Sequence, residues 1–205
     1  MNLRKALLLL AVATFVTATA QAQFGVYGTF TATRMGNIKS SPEATGFNTG
    51  INNSVSPLGG TGGIYYDFLK LGPVKLGADL RGSIVTTKRG AFTNANGGGA
   101  RINSALFGVR AVFHAPIMRS IVKPYIQGSA GIGSTNYGLL YGANGVTLRN
   151  NFEYMGFAGV DIPILPIMDF RLVEVGIGGL NPFGNNSHNY SLQTVSSGVV
   201  FHLPF

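Results

Sequence analysis

Apolar and polar residues alternate over short segments along most of the chain after residue 22. The alternation is clearest in residues 74–86, where Leu76 and Leu80 share one parity and Lys75 and Asp79 share the other. Successive side chains of a β-strand point to opposite faces, so this pattern predicts a strand with one apolar and one polar face. Similar patterns predict eight strands, at residues 24–34, 60–69, 74–86, 102–113, 124–135, 151–162, 170–180 and 191–205.

Two kinds of connection alternate between these predicted strands. The long ones are rich in polar residues and Gly, at residues 36–58, 87–100, 136–149 and 181–190. The shorter ones contain Pro, at residues 71–73, 115–123 and 163–169. An even number of strands with alternating long and short connections is typical of a membrane barrel with long outer loops and short periplasmic turns. The predicted fold class is therefore all-β, an eight-stranded antiparallel up-and-down transmembrane β-barrel.

The charged residues help to decide between this barrel and a soluble β-sandwich. Five of the seven acidic residues and three basic ones lie opposite the apolar strand faces, at Asp67, Lys75, Asp79, Arg81, Arg110, Glu153, Asp161 and Glu174. A sandwich core filled with charge would be prohibitively costly. A barrel interior can pair such charges and keep some water, so the pattern favours the barrel and predicts a luminal charge network of these eight residues.

The last predicted strand carries a further signal. From Val195 to Phe205, its apolar parity is interrupted at one position only, by Ser197. The finer pattern is a polar residue, a small residue and then large apolar ones, at Ser196, Gly198, Phe201, Leu203 and Phe205. This ending resembles the C-terminal signal of bacterial outer-membrane β-barrels, which the barrel-assembly machinery reads in that family.

Motifs within the last fifty residues extend the resemblance. Residues 159–162, Pro166, 169–171, 174–175 and 197–201 resemble the bacterial outer-membrane β-barrel domain family, of which the eight-stranded barrel of outer membrane protein A is the best-known relative. In plan, the resemblance covers residues 23–205. It implies an outer-membrane location, a monomer, and the assembly machinery as a partner, but it specifies no activity.

The beginning of the chain predicts export. Arg4 and Lys5 precede an apolar run at residues 6–16, and Ala20-Gln21-Ala22 forms a small-x-small cleavage site. These features predict a secretory signal peptide at residues 1–22 and a barrel domain at 23–205. The alternative, a helical membrane anchor, is disfavoured because the apolar run is shorter than the roughly 20 residues that span a bilayer.

Composition narrows the partners. The chain has no Cys, which excludes disulfides and thiolate metal sites. Without Arg4 and Lys5, 13 basic residues stand against seven acidic ones, a net charge of +6. No basic helix or basic run indicates nucleic acid, so we expect none as a partner. Outer-membrane lipid, including lipopolysaccharide phosphates, is the expected counter-charge for basic loop residues.

The sequence offers little for catalysis. The three histidines, His114, His188 and His202, are far apart and lack metal-ligand spacing. One class of lipid A-modifying barrels carries a His-x-Ser motif. Here the residues two positions after each His are Pro116, Tyr190 and Pro204. We therefore predict no catalytic, cofactor-binding or metal-binding residues, no cofactor and no enzyme, with lipid A modification as a distant alternative.

The luminal charges leave two interpretations open. An eight-stranded barrel is just wide enough for side chains to fill, so the charges could form an internal plug. They could also gate a narrow channel for ions or small solutes. The sequence favours the plug, and with it a structural or surface-interaction role in the cell envelope.

Overall fold

The computed structural model describes residues 23–37, 54–87, 101–113, 122–135, 149–183 and 189–203. These contain eight β-strands, β1 (Gln23–Gly36), β2 (Leu58–Leu71), β3 (Val74–Thr86), β4 (Arg101–Phe113), β5 (Lys123–Thr135), β6 (Arg149–Leu165), β7 (Met168–Pro182) and β8 (Tyr190–Leu203). The predicted signal peptide, most of the predicted long loops and Phe205 lie outside the described residues.

The strands form one closed barrel in sequence order. Every neighbouring pair is antiparallel, and β1 closes the barrel against β8, with Phe24 opposite Leu203 and Gly36 opposite Ser191. The predicted fold class is confirmed. A closed sheet has no unpaired strand edge, so each strand's backbone groups pair with two neighbours.

Two tight turns define one end of the barrel, which we call the turn end. Gly72 and Pro73 join β2 to β3, and Gly72 has a positive φ of 58° that glycine adopts without strain. Pro166 and Ile167 join β6 to β7, so the turn predicted at residues 163–169 is shorter than expected. The opposite end, where residues 38–53, 88–100, 136–148 and 184–188 connect the strands, is called the loop end.

Side chains alternate between the outside and the interior as the sequence predicted. Large apolar residues face outward along every strand, among them Phe30, Ile64, Leu80, Phe107, Ile132, Tyr154, Ile177 and Phe201. The eight residues of the predicted charge network lie on the inward parity. The barrel is thus apolar outside and partly charged inside, the reverse of a soluble protein.

No helix in the described part of the chain is long and apolar enough to cross a membrane.

The interior differs between the two ends of the barrel. In the loop-end half, buried side chains pack into one cluster, the apolar tier, made of Met35, Val85, Ile102, Leu106, Met155, Phe157, Leu180 and Leu192. The charged residues lie toward the turn end. The sequence pattern predicted charged inward residues but not this apolar tier, because the prediction weighed the charged inward positions and overlooked the apolar ones.

Candidate functional site in the barrel interior

Three buried tyrosines frame the charged half of the interior. Each faces a glycine of the neighbouring strand, in the pairs Tyr27–Gly63, Tyr65–Gly25 and Tyr125–Gly159. A Cβ atom added at any of these glycines would collide with the tyrosine ring opposite. The glycines therefore give the rings room to lie across the interior, where they contact the arginines.

Arg81 connects opposite walls of the barrel. Its Nε donates to Asp79 Oδ1 at 3.1 Å, and its two terminal nitrogens donate to Glu174 at 3.0 and 3.2 Å. Gln127 joins them by accepting a hydrogen bond from Arg81 at 3.0 Å and donating one to Asp79 at 2.7 Å. The guanidinium carbon also lies 3.9 Å from the ring centroid of Phe157. Arg81 thus joins β3, β5, β6 and β7 through polar and cation–π contacts.

Arg171 holds the other side of Glu174. It donates to Asp161 at 2.9 and 3.2 Å and to Glu174 at 3.2 Å. Its guanidinium carbon lies 4.6 and 4.7 Å from the ring centroids of Tyr27 and Tyr125. The hydroxyl of Tyr125 donates to Glu174 at 2.6 Å. Glu174 is therefore shared by two arginines and a tyrosine, which satisfies a carboxylate that is almost fully buried.

A β-bulge in β7 turns Arg171 into the barrel. In a regular strand Arg171 and Glu174, three residues apart, would face opposite sides. Here the register against β8 shifts between these two residues. Leu172 and Val173 both point outward, with 51% and 37% of their surface exposed. The bulge therefore adds a third buried guanidinium to the network.

Arg110 is held mainly by an aromatic ring. Its guanidinium carbon lies 3.9 Å from the ring centroid of Tyr65. Asp67 and Asp161 each approach to 3.9 Å, beyond hydrogen-bond length. We call the seven charged residues described so far the arginine network, namely Asp67, Asp79, Arg81, Arg110, Asp161, Arg171 and Glu174.

A second polar group, the turn-end cluster, consists of Tyr65, Lys123, Asp169 and His202. Lys123 donates to Asp169 Oδ2 at 2.7 Å, and His202 Nε2 lies 2.6 Å from the same oxygen. His202 Nδ1 lies 2.7 Å from the Tyr65 hydroxyl. These contacts tie β2, β5, β7 and β8 together at the turn end.

Six of the eight predicted luminal residues belong to the arginine network, and two lie apart from it. Lys75 donates to Gln23 at 3.3 Å. Glu153 accepts a hydrogen bond from Ser104 at 2.5 Å, and no Lys, Arg or His nitrogen in the described barrel lies within 4.0 Å of it. The expectation that Glu153 pairs with a base is corrected, because its neighbours Ser104, Met155 and Leu180 belong to the hydroxyl-bearing and apolar parts of the interior.

Four charged or titratable residues of the interior were missed from the sequence. The bulge hid Arg171, because regular alternation placed it outside. Lys123 and Asp169 fell within predicted connections that are in fact strand ends, and His202 was considered only as one of three widely spaced histidines. The interruption of the apolar parity at Ser197 was the one sequence signal near the bulge.

The predicted assembly-signal residues keep their alternation in β8. Ser196 and Gly198 lie on the inward parity, whereas Phe201 and Leu203 are exposed on the outside. Ser196 shares a hydrogen bond of 3.0 Å with Thr31 inside the barrel. Phe205 lies outside the described residues, and recognition by an assembly machinery stays a prediction.

Comparison with known proteins supports the fold. No protein-family model and no curated sequence matches this chain. Among solved structures, the Neisserial surface protein A (NspA) matches with a TM-score of 0.54 and 15% identity, over 88% of this chain and 97% of that one. The chain has the fold of the eight-stranded outer-membrane barrels.

Two further structures of outer-membrane proteins are similar. Ail, the attachment invasion locus protein of Yersinia pestis, in complex with the heparin analogue sucrose octasulfate, matches with a TM-score of 0.54 and 11% identity, over 89% of this chain and 99% of that one. The outer membrane enzyme PagL gives a TM-score of 0.41 and 14% identity, over 90% of this chain and 99% of that one. At these identities the likeness concerns the barrel fold, so function must be argued from this chain's own residues.

Proposed function

We propose that this protein is a plugged, non-enzymatic barrel of the bacterial outer membrane with a structural or surface-interaction role in the cell envelope. The observation that carries the proposal is the filling of the lumen. The arginine network crosses the interior in the turn-end half, and the apolar tier fills the loop-end half. Two different plugs in series leave no continuous polar path through the described interior.

The volume left inside supports this proposal over the channel and the enzyme. The cavity that lies in the interior between the two plugs measures about 30 Å³. Pockets that hold organic ligands usually measure about 300–1,000 Å³. An acyl chain of lipid A is therefore too large for this cavity, and so is a hydrated solute.

The outer face supports the location. Its apolar side chains surround the barrel on every strand, as a lipid-facing belt requires. Export through a cleaved signal peptide, insertion by the barrel-assembly machinery and a monomeric state complete the proposal. They rest on the sequence features of residues 1–22 and of β8.

The loop end supplies the proposed interaction. Six of the seven acids of the chain lie inside the barrel, at Asp67, Asp79, Glu153, Asp161, Asp169 and Glu174. The seventh, Glu43, belongs to a loop-end connection, where it stands against six basic residues at Arg34, Lys39, Lys88, Arg89, Arg101 and Arg149. We therefore propose lipopolysaccharide phosphates as the partner. The Ail complex with sucrose octasulfate extends the proposal to sulfated polyanions.

Planar-bilayer recording tests the plug. We expect the folded wild-type protein to give no steady conductance above that of the bare bilayer. A large, ion-selective conductance that changes when Arg81 or Glu174 is substituted would show that the protein is a channel and not a plugged barrel. A lipid A modification assay on cells that express the protein tests the enzyme alternative. A modified lipid A product would overturn the proposal that the barrel is non-enzymatic.

Binding measurements test the partner. The folded barrel should bind lipopolysaccharide more tightly than its dephosphorylated form, and the difference should shrink as salt rises. Arg34→Gln together with Arg101→Gln should weaken binding, since both side chains are exposed at the loop end. Lys70→Gln, exposed near the turn end, is the matched control and should leave binding unchanged. Equal affinity for the dephosphorylated form would exclude phosphate recognition.

A further inference from the structure

Nine of the sixteen side chains that line the cavity between the two plugs carry oxygen, and the others are six apolar residues and Arg81, which is paired with Glu174. Its hydroxyl-bearing lining residues are Thr31, Thr33, Thr61, Ser83, Ser104, Thr194 and Ser196. Its volume of about 30 Å³ exceeds the roughly 10–15 Å³ that one water molecule needs. The space therefore suits one or two water-sized occupants with polar partners.

Glu153 borders this cavity and differs from the other interior acids. Its surface is 4% exposed, and its hydrogen bond from Ser104 is a contact with a neutral group. The other five carboxylates each have a Lys, Arg or His nitrogen within 4.0 Å. A buried carboxylate without a counter-charge is strongly unfavourable, so Glu153 needs either a bound cation or a proton.

The inward bases do not serve Glu153. Six acids lie on the inward faces of the described strands, against six Lys and Arg residues at Lys70, Lys75, Arg81, Arg110, Lys123 and Arg171, since Lys70 pairs with Lys75 and shares its face. His202 contacts Asp169 at the turn end, so a proton on its ring would serve that carboxylate. Acids and bases therefore match in number within the described strands, but each of these bases lies more than 4.0 Å from Glu153.

A second group at the cavity lacks a partner. The hydroxyl oxygen of Thr194 is buried and has no hydrogen-bond partner, and Thr194 lines the same cavity as Glu153. Gly176 lies directly opposite in β7, and a Cβ there would collide with this hydroxyl, so the glycine makes room for the Thr194 side chain. A buried hydroxyl without a partner indicates a missing polar occupant.

The ligand atoms around the cavity indicate which kind of ion or molecule it binds. Carboxylate and hydroxyl oxygens are ligands for hard cations. Mg²⁺ and Ca²⁺ sites usually combine several carboxylates, and no group of three or more His, Cys, Asp or Glu side chains in the described residues is placed to hold a metal ion. We propose that the cavity binds one monovalent alkali cation, Na⁺ or K⁺, with Glu153 as its counter-charge and the surrounding hydroxyls as further oxygen ligands.

Unfolding in different salts tests this site. The full barrel domain is refolded in detergent with NaCl, KCl or N-methyl-D-glucamine chloride at one ionic strength, and urea unfolding is measured. A cation that binds only the folded state should lower the unfolding constant tenfold for each tenfold rise in its concentration above the dissociation constant. Glu153→Gln, which keeps an acceptor for Ser104, should abolish the dependence. Ser129→Ala changes an inward hydroxyl that does not line the cavity and should retain it.

The other outcomes overturn the proposal. Equal unfolding in all three salts means that the occupant is water or a proton on Glu153, and stabilisation by acid in the wild type alone would identify the proton. A salt preference that Glu153→Gln retains places the cation elsewhere. If Glu153→Gln does not fold, crystals of the wild type grown with Tl⁺ give the answer, because anomalous density beside Glu153 supports the site and its absence excludes it.

Discussion

The hydroxyl of Ser197 in β8 donates a hydrogen bond to the carbonyl oxygen of Arg171 in β7, 3.0 Å away. The contact lies at the bulge that turns Arg171 into the barrel. Ser197 stands on the outward face of its strand between Val195 and Val199, and the bulge explains why a polar residue occurs there. The irregular backbone of one strand is thus matched by a side chain of the next.

Replacing Ser197 tests this relationship. Ser197→Val removes the donor to a carbonyl on the apolar outer face, so the barrel should lose about 1–3 kcal/mol of unfolding free energy. Ser197→Thr keeps the hydroxyl and should stay close to wild type. Urea unfolding in detergent or vesicles measures both. Equal losses for the two variants would show that the hydrogen bond contributes nothing.

The bulge also marks the limit of prediction from sequence. Strict alternation located eight strands and their faces, because the outer surface selects apolar residues at every second position. It could not locate Arg171, since a bulge is set by pairing with β8 rather than by the residues of β7 alone. The Tyr27–Gly63 contact is invisible for the same reason, because it depends on the register between two strands.

The partners of the individual charged residues could not be predicted from the sequence either. Arg81 meets Glu174 across the barrel, 93 residues away along the chain, and this meeting depends on the stagger of every intervening strand. The isolation of Glu153 follows from the same stagger, which places it beside the apolar tier. Residue type and parity predict that a side chain is inside, but they do not predict its partner.

Two glycines of β6 should respond differently to the same substitution. Gly159 faces the Tyr125 ring, and a Cβ there would lie 2.6 Å from it. Gly159→Ala should therefore destabilise the barrel by about 1–3 kcal/mol through overpacking. Gly156 faces outward, its nearest contact for a Cβ at 3.8 Å, and Gly156→Ala should be neutral or stabilising. Urea unfolding of both variants decides, and a similar loss in each would contradict the assigned faces.

A charged substitution tests whether the outward face of the barrel contacts lipid. Leu80 lies midway along β3, opposite Ile64 and Phe107, and half of its surface is exposed. Leu80→Arg should cost about 2–4 kcal/mol if this position lies near the bilayer midplane. Leu203→Arg, at the turn end, should cost about 0–1 kcal/mol. Leu80→Ala separates the lost side chain from the added charge, and equal costs for the two arginine variants in vesicles would argue against the membrane belt.

A double-mutant cycle tests the arginine network. Removing one partner of the doubly hydrogen-bonded Arg171–Asp161 pair, by Arg171→Met or Asp161→Asn, should cost about 3–5 kcal/mol, because a buried charge is left behind. The double variant should cost less than the two changes combined, by more than about 0.5 kcal/mol. Arg171→Met with Glu153→Gln is the control and should be additive, since no base among the described residues lies within 4.0 Å of Glu153. Additive costs for Arg171 and Asp161 would show that this pair is not coupled.

The two plugs in series lead to a prediction about conductance. Arg171→Ala loosens the arginine network but leaves the apolar tier, in which Met35 and Leu180 are fully buried, across the loop-end half. This variant should therefore be less stable yet still non-conducting. A variant truncating only the apolar tier, Leu106→Ala with Met155→Ala, should also stay closed, because the arginine network still fills the turn-end half.

Only the combination of the three substitutions should open a path. We expect discrete conductance steps for it in planar bilayers, with cation preference, because Arg171→Ala leaves Asp161 without its main partner and removes one of the two arginines from Glu174. A folding control is needed, since the combined loss of stability is large. Retained heat-modifiable migration on gels shows that the barrel is intact. Conductance from Arg171→Ala alone would mean that the apolar tier does not seal the barrel and that the charges form the gate of a channel.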